Sequence, residues 1–229
     1  MRDFLFGLIG ASYPTERICH SRFLAAIWRI FFFGLAPRRP FVMRTQNYRL
    51  MAHPQKGTLT RALIRRGHWE PVETASFIAH LKPGAFVIDV GANFGHYALV
   101  AAKFAGPEGK VIAFEPHGPT FALLLENCAL QPAPIIEPVQ AGIAAKDGAM
   151  TLTSDTGNPG GHSFIAANVY GQGTAQSVPV HRLDSYLATR HAGRPVDMIK
   201  IDVQGLEAQV IRGAIQTIER YRPTVFLEI

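Results

Sequence analysis

From residue 86 onward, short continuous apolar runs alternate with stretches whose apolar positions recur every third or fourth residue. Phe86–Val90, Lys110–Glu115, Met198–Val203 and Thr224–Ile229 read as strands covered on both faces, because little polar alternation interrupts them. A further strand falls within Ile135–Ile143, after Gln131-Pro132 stops the preceding helix. Between the strands the period changes. Gly95–Phe104 is a helix, and Phe121, Leu124, Leu125 and Cys128 stand at the i, i+3, i+4, i+7 spacing of a core-facing stripe. After Gly205, Leu206, Val210, Ala214 and Ile218 form another stripe. Upstream, Glu70-Pro71 opens a helix with proline at its first position and Val72, Ala75, Ile78, Ala79 and Leu81 on one face; Lys82-Pro83-Gly84 closes it. Strands alternating with amphipathic helices predict an α/β fold with a mostly parallel sheet between two helical layers.

Between the third and fourth strands the pattern changes again. Lys146-Asp147-Gly148 is a hairpin turn signal before a strand at Ala149–Thr153. Ser154–Ser177 is polar and glycine-rich, and a loop of that length inside a compact domain is a candidate lid over a site. Val178-Pro179-Val180 reads as a short edge strand, since proline cannot donate to a ladder, and Leu183–His191 as a helix. The chain thus parses as an apolar, basic N-terminal segment (1–40), a prelude with one helix (41–82) and an α/β domain (83–229).

Composition narrows the classes. Of 229 residues, 48% are hydrophobic and 17% charged, which fits a globular chain with a sizeable core. The net charge of +6 is uneven, with arginines gathered early at Arg38-Arg39, Arg44, Arg49, Arg61 and Arg65-Arg66. The basic balance is compatible with nucleic acid, but no aromatic-basic groove or base-methylation motif is visible, so no nucleic-acid partner is expected. Cys19 and Cys128 lack metal-ligand spacing, and the nine histidines form no cluster, so neither a disulfide nor a metal site is expected and the natural compartment is cytoplasmic. Phe23–Ala36 is strongly apolar, but Arg29 interrupts it and it is shorter than the roughly 20 residues of a spanning helix. Residues 22–36 suit a helix packed on its own domain or one lying at a membrane interface.

The chemistry concentrates at strand ends. Asp89-Val90-Gly91-Ala92-Asn93-Phe94-Gly95 carries the first strand into a glycine turn, and Glu115 closes the second strand. Glycines admit a close ligand, and a carboxylate in that relation to them accepts hydrogen bonds from ribose hydroxyls. The Gly-x-x-x-Gly spacing lacks the Gly-x-Gly-x-x-Gly pattern that cradles a pyrophosphate, so a nucleoside without phosphates fits better, S-adenosylmethionine being the commonest. Asp89 is placed to bind a methionine amino group or to cap the turn; Asn93 is a left-handed backbone position or a ligand contact. Lys200 and Asp202 share one face of an otherwise apolar strand, and Asp202 sits at its carboxyl end, where open α/β sheets bind ligands. The alternative there is a structural Lys200–Asp202 pair. His117 and His162 are candidate bases or plain surface residues.

These segments resemble the FkbM-type methyltransferase family, a branch of the class I S-adenosylmethionine-dependent enzymes. The resemblance rests on Gly67–Pro71, Val87–Tyr97, Val111–Pro116, Val178–Val180 with Leu183-Asp184, and above all Ile199-Lys200-Ile201-Asp202-Val203-Gln204-Gly205-Leu206-Glu207. It covers the chain from about residue 60 to its end. It implies a Rossmann-like, doubly wound sheet of strand order 3-2-1-4-5 with an inserted β-hairpin region. It also implies S-adenosylmethionine as methyl donor and O-methylation of a sugar, glycolipid or secondary metabolite. Asp89, Gly91, Asn93, Gly95 and Glu115 are then the expected cofactor contacts. Gly142, near the end of the third strand, joins them. Asp202 lines the methyl-transfer end as first candidate base, with His162 second. Two departures stand out: Gln204 replaces the family's usual glutamate, and the family's C-terminal antiparallel hairpin is absent after Ile229. Either the sequence is a fragment, or a partner such as a second copy covers the strand-five edge, since an uncovered edge invites aggregation. The rival readings are a nicotinamide-dependent oxidoreductase on the same fold and a non-catalytic, membrane-associated nucleoside-binding protein.

Overall fold

The computed structural model describes residues 40–53, 63, 68–154, 163–165 and 174–228. The apolar segment 22–36, Cys19 and His162 lie outside the described residues. The chain forms two compact units, Met1–Glu70 and Pro71–Ile229. In the first, β1 (Phe41–Arg44) and β2 (Arg49–Ala52) pair antiparallel. Their turn is built on Thr45, whose hydroxyl oxygen accepts from the amides of Asn47 and Tyr48.

The second unit is the α/β domain. It runs through α1 (Pro71–Ala79), β3 (Phe86–Val90), α2 (His96–Ala105), β4 (Lys110–Phe114), α3 (Gly118–Ala129) and β5 (Ile136–Val139). There follow β6 (Gly142–Ile143), β7 (Gly148–Thr153), β8 (Ala175–His181) and α4 (Leu183–Arg190). It ends with β9 (Met198–Ile201), α5 (Glu207–Gly213), α6 (Ile215–Tyr221) and β10 (Thr224–Leu227). Five strands form a parallel sheet in the order β10-β9-β3-β4-β5, the expected 3-2-1-4-5 order read from the opposite edge. On one face Phe86, Ile88, Val90, Ile112, Phe114, Ile199 and Ile201 pack with Leu183, Leu187 and Val210 into the main core. The opposite face alternates with these residues and carries Asp89 and Lys200, directly paired in register across β3 and β9.

Several expectations are corrected. The third strand falls within Ile135–Ile143 as β5, which ends at Val139 in the main sheet, but a further strand, β6, follows it into a separate three-stranded sheet of order β6-β8-β7. Residues 146–148 therefore do not close a hairpin between neighbouring strands, because β8 lies between β6 and β7, parallel to one and antiparallel to the other. Likewise β8 is no edge strand. It tolerates Pro179 because β6 is only two residues long and pairs with Val180 and His181, leaving proline beyond its reach.

The helical faces shift too. In α1 the buried residues are Thr74 and Phe77, while Val72 is 75% exposed. Phe77 makes edge-on contacts with Tyr97 and Phe226, and the Thr74 hydroxyl meets His96 Nε2 at 2.8 Å. One large ring and one satisfied hydroxyl outweigh a stripe of small residues. In α3 the buried positions are Thr120, Leu124 and Asn127, with Leu125 exposed and Cys128 half-buried as a free thiol. Asn127 is drawn inward because its amide donates to the Phe94 carbonyl at 2.8 Å, satisfying the turn that precedes α2. The helix after Gly205 is two helices that meet at Ala214. There a side chain on Gly213 would lie 2.1 Å from the Ala144 carbonyl oxygen, so the chain passes too close for anything but glycine. Among the described residues no helix is long and apolar enough to cross a membrane.

Candidate functional site

The carboxyl ends of β3, β4 and β9 surround a cleft of ≈ 590 Å³, its open mouth included. It lies where ligands bind in open α/β sheets. Of the residues singled out from sequence, Gly91, Asn93, Glu115, Gly142 and Asp202 line it. Asp89 and Gly95 do not, and His162 falls outside the described residues. Ile143, Leu152 and Phe164 supply apolar wall.

The glycine turn has a structural reason. Gly91 has φ +81°, and a Cβ there would sit 1.8 Å from the Asp202 carbonyl oxygen. The turn is thus pressed against the backbone leaving β9, and Asp202 N in turn donates to the Val90 carbonyl at 3.0 Å. Gly95, at φ +101°, starts α2 where a Cβ would meet Leu124 at 2.7 Å. Between them Asn93 takes the left-handed conformation at φ +53°, its side-chain oxygen accepting from the Phe94 amide at 2.8 Å.

Glu115 is fixed from both sides. Oε2 accepts from the Asn93 amide at 2.9 Å and Oε1 from the His117 amide at 2.8 Å. A carboxylate has about four lone-pair sites, so each oxygen keeps one for a ligand. Burial pushes the Glu115 carboxyl up to about 7, against the two amides that pull it down. His117 Nδ1 is 2.8 Å from the Thr120 hydroxyl at the start of α3.

Of the two roles expected of Asp89, the structure excludes the cap on the turn amides. The turn amides of Gly91 and Ala92 are taken by the Phe114 carbonyl, so Asp89 caps neither. It is 0% exposed, and neither carboxylate oxygen has a hydrogen-bond partner among the described residues. Burial raises its carboxyl to about 6; the Lys200 charge opposes this, Asp202 adds to it, and the Ala98 amide exerts a weak downward pull. His96 in α2 is held neutral, its imidazole lowered to about 3 by burial and by the Lys200 charge.

Asp202 is gripped from two directions. Lys200 Nζ lies 3.0 Å from Oδ2, and Gln204 Nε2 donates to Oδ1 at 3.2 Å. The structural pairing of Lys200 with Asp202 is therefore real, and it coexists with a carboxylate on the cleft wall. Sequence reasoning missed Phe164, whose ring stands where a Cβ on Gly142 would meet it at 2.8 Å. The available signal was an adjacent large apolar pair, Phe164-Ile165, inside a polar stretch. The segment is anchored by Ser163, which bridges to Thr153 and donates its hydroxyl to the Gln204 carbonyl at 3.0 Å.

The Methyltransferase FkbM domain family matches residues 89–229, more than half of the chain. The chain belongs to that family. It is 29% identical to Methyltransferase sdnD of Sordaria araneosa over 59% of this chain and 62% of that protein. It is 26% identical to Methyltransferase 1 of Beauveria bassiana over 59% and 61%. The chain thus spans about three fifths of the length of these relatives. Among solved structures, Methyltransferase FkbM from Methylobacillus flagellatus KT aligns at 13% identity with a TM-score of 0.41, covering 73% of this chain and 49% of that one.

Proposed function

We propose that this FkbM-family chain is an S-adenosylmethionine-dependent methyltransferase that methylates a hydroxyl of a small molecule or glycan. The observation that supports it most is one cleft, at the carboxyl ends of β3, β4 and β9, with Glu115 and Asp202 both on its wall. The residues fit such a donor: the lone pairs that Glu115 keeps free suit the two ribose hydroxyls, and the turn at Gly91–Gly95 lacks a pyrophosphate cradle. Bound there, the donor supplies an electrophilic methyl group on a sulfonium.

The chain's own part is alignment, exclusion of water and proton removal. Glu115 and the Asn93 turn hold the nucleoside. Ile143, Leu152 and Phe164 form a dry wall. Asp202, 28% exposed at its side chain, takes the proton of the acceptor hydroxyl as the new carbon–oxygen bond forms. Isothermal titration with S-adenosylhomocysteine, with NAD and NADP as controls, tests the reading. Binding of S-adenosylhomocysteine alone, weakened tenfold or more (about 1.4 kcal/mol) in Glu115→Ala, supports it and justifies an acceptor screen. Binding of NAD instead sinks it.

A further inference from the structure

We infer that Lys200 and Gln204 are positioning residues that act through Asp202, donating to its carboxylate and aiming it into the cleft. The inference deepens the methyltransferase reading and rests on it. Both oxygens of Asp202 are occupied by donors, Oδ2 by the Lys200 ammonium at 3.0 Å and Oδ1 by the Gln204 amide at 3.2 Å. Neither donor is casual. Lys200 is 2% exposed at the middle of a buried strand, a costly place for an ammonium unless its partners compensate.

Those partners come from three elements. Asp202 follows Lys200 on its own chain, Asp89 faces it across the register from β3, and the Tyr97 ring of α2 lies 4.6 Å below it. His96, also on α2, is neutral beside it. A charged group so enclosed has a fixed position, and so does the oxygen it holds. The charged groups that face Asp202 are Glu115 on β4, Asp89 on β3 and Lys200. Glu207 at the start of α5 is committed elsewhere, to the Gly205 amide at 2.8 Å.

Gln204 is exposed, but its backbone is fixed. Its φ is +53°, a conformation most residues avoid, and Gly205 follows at +102°. The turn is secured by the Ser163 hydroxyl on the Gln204 carbonyl, and Ser163 is 0% exposed and itself accepts from the Ile165 amide at 3.0 Å. An amide at 204 donates to Asp202. A glutamate in the same conformation would set a second carboxylate against it. The departure from glutamate at this position thus has a chemical consequence: this chain keeps a donor where a like charge would otherwise stand.

The test needs no acceptor. Carbon-13 NMR of aspartate side-chain carboxyls, assigned with Asp202→Asn, follows the titration of Asp202 in the whole chain and in Lys200→Met, Lys200→Arg and Gln204→Glu. The midpoint should rise by about one pH unit or more, a tenfold change in proton affinity, in Lys200→Met and Gln204→Glu. Lys200→Arg should bring it most of the way back. Circular dichroism and thermal unfolding report folding, and Gln204→Glu, in a turn, carries the test if Lys200→Met does not fold. An Asp202 midpoint within about 0.3 pH unit of wild type in a folded Gln204→Glu or Lys200→Met overturns the inference. Titration of the wild-type chain with S-adenosylhomocysteine separates the two levels. Binding with an unmoved Asp202 removes this inference alone, whereas no binding removes the methyltransferase reading beneath it.

Discussion

Gly91→Ala is the most discriminating single change at the strand ends. Two separate effects meet at this position. The backbone sits at φ +81°, where a Cβ costs about 1–2 kcal/mol. The same Cβ would stand 1.8 Å from the Asp202 carbonyl oxygen and 2.9 Å from its carbon, so the carboxyl ends of β3 and β9 must part. Over-packing of that kind costs about 1–3 kcal/mol more. Gly84 is the control. It has a similar φ of +76° but nothing within 4 Å of an added Cβ, so Gly84→Ala carries the conformational cost alone. Urea unfolding at 25 °C should show Gly84→Ala losing about 1–2 kcal/mol and Gly91→Ala about 2–5 kcal/mol. Equal losses within about 0.5 kcal/mol would refute the reasoning, since the close approach of the Asp202 carbonyl would then contribute nothing. The experiment also bears on function. If the glycine is required by the neighbouring strand rather than only by a ligand, Gly91→Ala should shift Asp202 and lower stability even where no nucleoside is present.

Other outcomes follow from the same geometry. Glu115 has its folded-state carboxyl raised to about 7 by burial. Its contribution to stability is therefore fully present below the ordinary glutamate range near 4.5 and is lost as pH rises through about 7. S-adenosylhomocysteine affinity should run the other way, strengthening from pH 6 to 8 as the acceptor ionises; calorimetry should find that trend abolished in Glu115→Gln. Asp184→Ala should lose about 2–3 kcal/mol in denaturant unfolding, because this buried carboxylate accepts from the Gln216 and Thr217 amides and the Thr217 hydroxyl at the start of α6. Asn127→Leu should lose about 1–3 kcal/mol, leaving the Phe94 carbonyl unsatisfied at the mouth of the glycine turn; a loss under about 0.5 kcal/mol would mean that the turn does not depend on that bond.

What was legible in the sequence was whatever depends on local pattern. The parallel strands are apolar on both faces, so Phe86–Val90 and Met198–Ile201 stand out, and the two charged residues that break the pattern mark the buried polar patch beneath α2. The positions of Gly91, Asn93 and Glu115 on the cleft follow from chain spacing alone, since strand, turn, helix and strand fix where each must fall. The errors arise where a residue's environment is set by a partner far along the chain. Hydropathy assigned α1 and α3 inner faces of Val72 and Leu125, yet Thr74 and Asn127 are buried instead, each matched to a group 22 or 33 residues away. A polar side chain with a partner is cheaper to bury than its type suggests, and no local window contains the partner. The same holds for Asp89. Its place beside the glycines made it a natural cap, but the Phe114 carbonyl, from the next strand, had already taken the turn's amides. Asp89 is instead a buried carboxyl paired in register with Lys200, whose ammonium also meets the acid on the cleft wall.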